Sequence, residues 1–356
     1  MAKILHVINS LAAGGAEKLV STLASVQTQN HKIGVFVFVN TNETFVESLD
    51  LSVEFYKAKG QNYFTFNNLK RLYKAIKGYD VIHVHLFPAF YFTGILSLFF
   101  RQKTFIYTEH STHNKRRSKK FYLIEKWMYS RYQKVICISK SVETNLKQWM
   151  GESLPTLVIE NFLDLKEIQN QKPVPRERLN LSTSDKILVM VGSFRDDNTK
   201  DQITVIKALK YLPENYKLLL LGQGILRKKT EEFVKINQLS DRVQFLGFRP
   251  DVYSVLKSCD IGVLSSNWEG FGIALIEYMA CGLLAFGTNV SGLKDLIISS
   301  DTTFEVGDDK GLAQKIKHFE KYPEEAINLI KKQNKFIKKF SLEQSVKAHQ
   351  EVYAQV

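Results

Sequence analysis

Asn267-Trp268-Glu269-Gly270-Phe271-Gly272-Ile273-Ala274-Leu275-Ile276-Glu277 decides how this chain is read. Before it, Ile261–Leu264 has the short apolar form of a buried strand. After the turn, Gly272–Ala280 reads as a helix. The amides that open a helix, with the positive end of its dipole, make a place for phosphate. Gly270 and Gly272 let the backbone approach an anion without Cβ obstruction. Glu269 stands before the helix and Glu277 inside it. A carboxylate repels phosphate, but it grips hydroxyls through charge-assisted hydrogen bonds. Phosphate and hydroxyls on one ligand suggest a nucleotide sugar; an ordinary strand–turn–helix with a surface glutamate is the plainer alternative.

The same strand–turn–helix unit recurs along the chain. Strand-like runs are expected at Lys3–Ile8, Ile33–Val39, Val81–His85, Thr104–Thr108, Lys134–Ile138 and Thr156–Ile159. Helical patterns lie between the later ones, at Leu69–Lys77, Pro88–Phe100, Lys119–Tyr132 and Ser141–Met150. Leu163–Asp185 is polar and holds Pro173 and Pro175, so it reads as a linker. Alternation restarts with strands at Ile187–Val191, Lys217–Leu221, Val243–Phe245, Ile261–Leu264 and Leu283–Phe286. The expected fold class is therefore α/β, with two Rossmann-like, doubly wound domains facing across a cleft. Their expected extents are 1–165 and 166–356, the last helix packing back on the N-terminal domain.

Bulk properties agree. The chain has 356 residues, 44% of them hydrophobic, which is more than one core usually holds. Cys137, Cys259 and Cys281 are far apart and form no CxxC pair, so they suggest buried thiols in a reducing, cytoplasmic compartment. The net charge is +13, and residues 1–165 carry 21 Lys and Arg against 12 Asp and Glu. The excess is densest at Lys115, Arg116, Arg117, Lys119 and Lys120. No nucleic-acid motif accompanies it, so an anionic membrane surface ranks above nucleic acid. Leu86–Phe100 is uncharged but short and contains Pro88, which favours a buried or interfacial helix over a spanning one.

The chain resembles the retaining glycosyltransferases of the GT-B superfamily, in the group 1 or family 4 class. Their signature is a pair of glutamates separated by seven residues around a Gly-Phe-Gly turn, met here by Glu269, Glu277 and Gly270-Phe271-Gly272. The resemblance runs from Gly14 to about Ile297. It implies that Glu269 faces donor-sugar hydroxyls, that Glu277 faces the ribose, and that amides of Phe271, Gly272, Ile273 and Ala274 hold the diphosphate. It also implies that the loop from Gly192 through Arg195 to Lys200 supplies cations to that diphosphate. Ser193 stands where the family often has arginine, and Arg195 is the substitute candidate. Gly15 would lie beside the diphosphate, and His110, in Thr108-Glu109-His110-Ser111, would contact the donor sugar. Phe248 and Arg249, after Gly247, would border the nucleobase.

The resemblance further implies a retained anomeric configuration. No Asp-x-Asp pair stands near the expected diphosphate loops, so transfer is expected without a metal or other cofactor. Arg195, Lys200 and helix amides would replace a divalent ion. The donor would be UDP- or GDP-linked. The basic N-terminal half and the aromatic stretch Phe87–Phe100 favour a lipid-linked saccharide acceptor at the inner face of the cell membrane, although those aromatics also suit a core. No nucleic-acid partner is expected. His83 and His85 alternate onto one face, but a metal would need further ligands, and none is evident. A same-fold epimerase or phosphorylase, and a non-catalytic nucleotide-sugar or nucleic-acid binding protein, are the other readings.

Overall fold

The computed structural model describes residues 1–39, 44–58, 65–112, 114 and 116–355. The chain forms two compact units, Met1–Phe162 with Leu342–Val356 and Leu163–Ser341.

In the first unit, β1 (Lys3–Ile8) leads through a glycine turn into α1 (Gly15–Gln27), β2 (Lys32–Val37) and β3 (Glu54–Lys57). There follow α2 (Phe66–Ile76), β4 (Val81–His85), α3 (Ala89–Leu96), β5 (Thr104–Glu109) and α4 (Tyr122–Tyr129). β6 (Lys134–Cys137), α5 (Lys140–Met150) and β7 (Thr156–Val158) complete the run. The seven strands lie in the order β3-β2-β1-β4-β5-β6-β7, and all neighbours are parallel. A parallel sheet is covered on both faces, which explains why β4 is buried throughout and β1 beyond Lys3, histidines included. Thr65 and Ser139 start α2 and α5 by accepting the amides of Asn68 and Val142, a common way to satisfy the first turn.

Expected helices at Pro88–Phe100 and Lys119–Tyr132 are shorter in the structure, because each has one turn of 3-10 helix, Ser97–Phe99 and Lys119–Phe121. The aromatics of the first stretch divide. Phe90 and Phe92 are core residues, whereas Phe87 and Phe99 are exposed. The basic run also divides. Lys115 lies outside the described residues, and Lys119 and Lys120 are exposed. Arg116 instead stacks on Phe87, 4.3 Å from its ring centre, and holds Glu125 at 2.9 Å. Arg117 donates to the carbonyls of Ser111 and Thr112. Two of the expected surface cations are thus structural, because two loop carbonyls and Glu125 recruit them inward.

In the second unit the expected linker holds structure of its own: α6 (Leu165–Asn170), capped by Asp164, buries Ile168. The alternation continues as β8 (Lys186–Val191), α7 (Gln202–Ala208), β9 (Tyr216–Leu221), α8 (Arg227–Ile236) and β10 (Val243–Gly247). It runs on through α9 (Val252–Leu256), β11 (Ile261–Leu264), α10 (Ile273–Ala280), β12 (Leu284–Thr288), α11 (Ser291–Lys294) and β13 (Thr303–Phe304). α12 (Asp309–Lys321) and α13 (Pro323–Phe336) close it. The six-stranded parallel sheet runs β10-β9-β8-β11-β12-β13. The chain then returns as α14 (Leu342–Ala354), which packs on α1 and adds Val352 and Tyr353 to the first unit's core. Among the described residues no helix is long and apolar enough to cross a membrane.

Candidate functional site

The second unit brings Lys200 and Glu269 together just after β8 and β11 end. The loop after β8 runs back along the loop after β11. Asn267 N donates to Thr199 O at 2.9 Å, Asp201 N donates to Ser265 O at 3.0 Å, and Lys200 pairs with Ser266 as an antiparallel bridge. This pairing brings the Lys200 ammonium onto Glu269 Oε1, and Ser266 Oγ donates to the same oxygen at 2.7 Å. Ser266 is itself fixed by Thr288, whose Oγ1 accepts the Ser266 amide at 3.1 Å and donates to its carbonyl at 2.8 Å. Lys200 and Glu269, chosen from sequence, therefore meet. Ser266 and Thr288 were not foreseen; the only sequence signal is a pair of serines directly after an apolar strand.

The turn between Glu269 and α10 depends on glycine in two ways. Gly272 has φ +88°, a left-handed conformation that costs a side-chain-bearing residue, and a Cβ there would sit 2.2 Å from Leu293. Gly292, at the start of α11, lies so close to Glu269 that a Cβ would be 2.0 Å from its carbonyl oxygen. The Asn289-Val290-Ser291-Gly292 turn is thereby pressed onto the Glu269 backbone. Phe271 turns its side chain inward against Phe340, at 5.4 Å between ring centres, so only its backbone can serve a ligand. Ile273 and Ala274 open α10 behind a residue that has no side chain to cap them. Glu277 is buried one turn further on and accepts the Tyr253 hydroxyl at 3.2 Å.

The other expected cations are placed differently. Gly192 packs against the Lys200 side chain, but Arg195 is 70% exposed, with Nε 3.3 Å from Asp197 Oδ2. Arg195 does not join the Lys200–Ser266–Glu269 cluster. Arg249 is held by its near neighbour Asp251 through contacts of 2.7 and 2.6 Å, and Phe248 is half-buried.

In the first unit, Gly15 begins α1. His110 follows β5, and its Nε2 is 3.4 Å from Nδ1 of His85. Arg117 clamps the two carbonyls after it. His110 lines a hollow with Leu23, His85, Thr108, Asn161 and His349. His6 on β1 is the residue that sequence reasoning missed. Parallel pairing sets His6 directly beside His83, and its Nδ1 is 3.2 Å from His85 Nε2.

Among the described residues, His6, His83 and His85 are the group whose ligand atoms come close enough to hold a metal, within 4.8 Å of one another. All six of their ring nitrogens already have hydrogen-bond partners inside the unit, so a metal would first have to break them. Burial keeps these rings neutral. It lowers His6, His110 and His349 to about 4 and pushes His83 and His85 well below the ordinary histidine value. The unfolded chain takes up protons below pH about 6.5, while the folded one does not, so stability falls with acid. Each such histidine removes up to about 1.4 kcal/mol per pH unit between its unfolded and folded pKa values. Amide exchange at β1, β4 and β5 is expected to accelerate steeply from pH 7 to pH 5 after correction for intrinsic rates, and less so in His6→Gln. A flat profile would contradict neutral burial.

Known proteins bear on this geometry in three ways. The model of glycosyl transferases group 1 matches residues 171–338, and that of glycosyltransferase family 4 matches residues 13–167. The N-acetyl-alpha-D-glucosaminyl L-malate synthase of Bacillus anthracis is 30% identical over 182 residues, 50% of this chain and 48% of that protein. The matched part thus spans about half the length of that relative. A Campylobacter jejuni N-acetylgalactosaminyltransferase, named for a diphospho-undecaprenol-linked saccharide, is 26% identical over 313 residues, 83% of each chain. The crystal structure of Anabaena HepE with UDP-glucose superposes with a TM-score of 0.88 at 20% identity, over 100% of both chains. With matches to both halves and that common fold, the chain belongs to the group 1 glycosyltransferases and has the GT-B architecture.

Proposed function

We propose that this protein transfers a sugar, with retention and without a metal, from a UDP- or GDP-sugar to a lipid-linked saccharide at the cytoplasmic face of an anionic membrane. The Lys200–Ser266–Glu269 cluster beside the glycine turn of α10 carries the reading. Glu269 would exchange its bond to Lys200 for sugar hydroxyls, and Lys200 would turn to the diphosphate. The amides of Phe271 to Ala274 and the α10 dipole would share that charge. Glu277 would take the ribose hydroxyls, and His110 a hydroxyl of the sugar. As the bond to the diphosphate breaks, negative charge grows on the leaving oxygen. Fixed cations and amides favour that charge as a divalent ion would, and retention follows if the acceptor attacks on the leaving-group face. The UDP-glucose bound by HepE and the undecaprenol-linked substrate named for the Campylobacter enzyme support the choice of donor and acceptor classes.

A surface of the first unit supports the membrane part. Leu123, Ile124 and Trp127 on α4, with Phe121 before it, are exposed beside Lys119, Lys120 and Lys126. Apolar side chains ringed by lysines suit insertion at an anionic interface.

Two experiments test the reading. Nucleotide release from a panel of UDP- and GDP-sugars, with undecaprenyl-diphosphate-linked acceptors, is expected to fall about 100- to 1000-fold in Glu269→Gln and Lys200→Ala, each checked for an unchanged thermal midpoint. Wild-type activity is expected to persist in EDTA, with the product anomer matching the donor. A strict demand for magnesium or manganese would end the metal-free part; turnover that needs inorganic phosphate, or no acceptor, would point to a phosphorylase or an epimerase. Separately, the protein is expected to float with phosphatidylglycerol vesicles at low salt and to be released by high salt. Leu123→Glu combined with Trp127→Glu should abolish flotation, and a wild type that never floats would sink the membrane surface.

A further inference from the structure

Behind His110 lies a continuous run of hydrogen bonds. His110 Nε2 meets His85 Nδ1 at 3.4 Å, His85 Nε2 meets His6 Nδ1 at 3.2 Å, and His6 Nε2 meets Gln27 Oε1 at 2.8 Å. Gln27 Nε2 then reaches the Tyr353 hydroxyl at 3.4 Å. That hydroxyl is 2.7 Å from His83 Nδ1, and His83 Nε2 is 2.7 Å from Thr108 Oγ1. The run starts just after β5 and ends on it, having crossed β4, β1, α1 and α14. His349 stands beside it but is tied to its own helix, with Nδ1 2.8 Å from the Ser345 carbonyl.

A neutral imidazole has one donor nitrogen and one acceptor nitrogen, and an amide has a donor end and an acceptor end. Tyr353 has a single hydroxyl proton, so once that proton is donated to one neighbour its oxygen can only accept from the other, and the direction of every remaining bond in the run follows. Tyr353 fixes it. A phenol O–H is a much stronger donor than a neutral imidazole N–H, so it donates to His83 Nδ1, and His83 Nε2–H donates to Thr108. The Tyr353 oxygen is then left to accept from the Gln27 amide nitrogen, which turns Gln27 Oε1 toward His6. His6 must donate from Nε2 and accept at Nδ1, His85 must do the same, and His110 must donate from Nε2.

We propose that Tyr353 and Gln27 are positioning residues that hold His110 as its Nε2–H tautomer, with the Nδ1 lone pair available to accept a hydroxyl of the substrate. The proposal rests on His110 as a sugar-contacting residue and adds the direction of its hydrogen bond. The first unit thus uses α14, the last helix of the chain, to set the chemistry of a loop more than two hundred residues earlier in sequence. The opposite direction would present an N–H donor, which a sugar hydroxyl could meet only with an oxygen lone pair. His110 would then select a different orientation of the hydroxyl.

The test uses the full chain labelled with ¹⁵N at histidine. Long-range proton–nitrogen correlation at pH 7.5 reports the tautomer of each ring, with signals assigned from single His→Gln variants. His6, His83, His85 and His110 are all expected as Nε2–H. Tyr353→Phe removes one hydroxyl and frees Gln27 to turn, so His110 is expected as a mixture of tautomers, and Gln27→Met should act likewise. Nucleotide release from UDP-glucose is expected to drop on the order of tenfold in Tyr353→Phe, as when the outer partner of a ligating histidine is removed. An Nδ1–H or cationic His110 in the wild type, or a tautomer unmoved in both variants, would overturn the relay even if His110→Ala still abolished turnover. If the tautomers come out as expected but His110→Ala turns over normally, the placement of His110 at the sugar fails, and the positioning role fails with it.

Discussion

Two parallel strands cannot be joined by a hairpin; each connection has to cross a face of the sheet and return to the same end. That constraint shapes everything else in this chain. It demands a helix after nearly every strand, covers both faces of each sheet, and collects the loops that follow the strands along one edge. Both sheets also reverse their winding at the centre, where β1 adjoins β4 and β8 adjoins β11. At such a point the two loops leave in opposite directions and open a crevice. Gly15 follows β1 and His85 ends β4. Gly192 to Lys200 follows β8, and Ser265 to Glu269 follows β11. The candidate site residues of each unit therefore lie where its own topology leaves room for a ligand.

Within the second unit, charge accounts for the local arrangement. Lys200 and Glu269 are both largely shielded from water, at 17% and 10% exposure, and neither could be left there alone at small cost. Their pairing, with Ser266 as a second donor to the carboxylate, satisfies both in the unliganded protein. It also stores them in complementary form: the cation suits an anionic diphosphate, and the carboxylate suits hydroxyls. Arg195 stands outside this economy of contacts, because Asp197, two residues away, offers a nearer partner and the loop leaves it exposed. A glycosyl donor would have to attract Arg195 by charge alone, without a preformed seat.

What the sequence disclosed was what local pattern determines. Apolar runs marked β1, β4 and β11 to the residue, and the Glu269–Glu277 turn carried its own spacing. Partners set by distant register were hidden. Nothing near His6 says that it will lie beside His83, because the pairing of β1 with β4 is decided by packing across the whole sheet. The short edge strand β3, EFYK, escaped for lack of a long apolar run, and α6 escaped because Pro173 and Pro175 made its surroundings read as a linker. Arg116 and Arg117 read as surface charge, since composition counts cations but cannot say that Glu125 and two carbonyls will draw them inward.

The two units thus prepare for a ligand by different means. The second places paired formal charges where a diphosphate and hydroxyls could replace their mutual contacts. The first has too little water around His6, His83 and His85 to sustain charge, so each of these rings is neutral and each of their nitrogens is used. In such surroundings an extra proton cannot be added without breaking a hydrogen bond, because a cationic ring has two donors and no acceptor. Metal binding meets the same obstacle from the other side, since it would consume lone pairs that are already accepting. What remains adjustable is the direction in which the bonds run. In the role proposed for His110, recognition would be a matter of hydrogen-bond polarity, set by a phenol and an amide at the other end of the run.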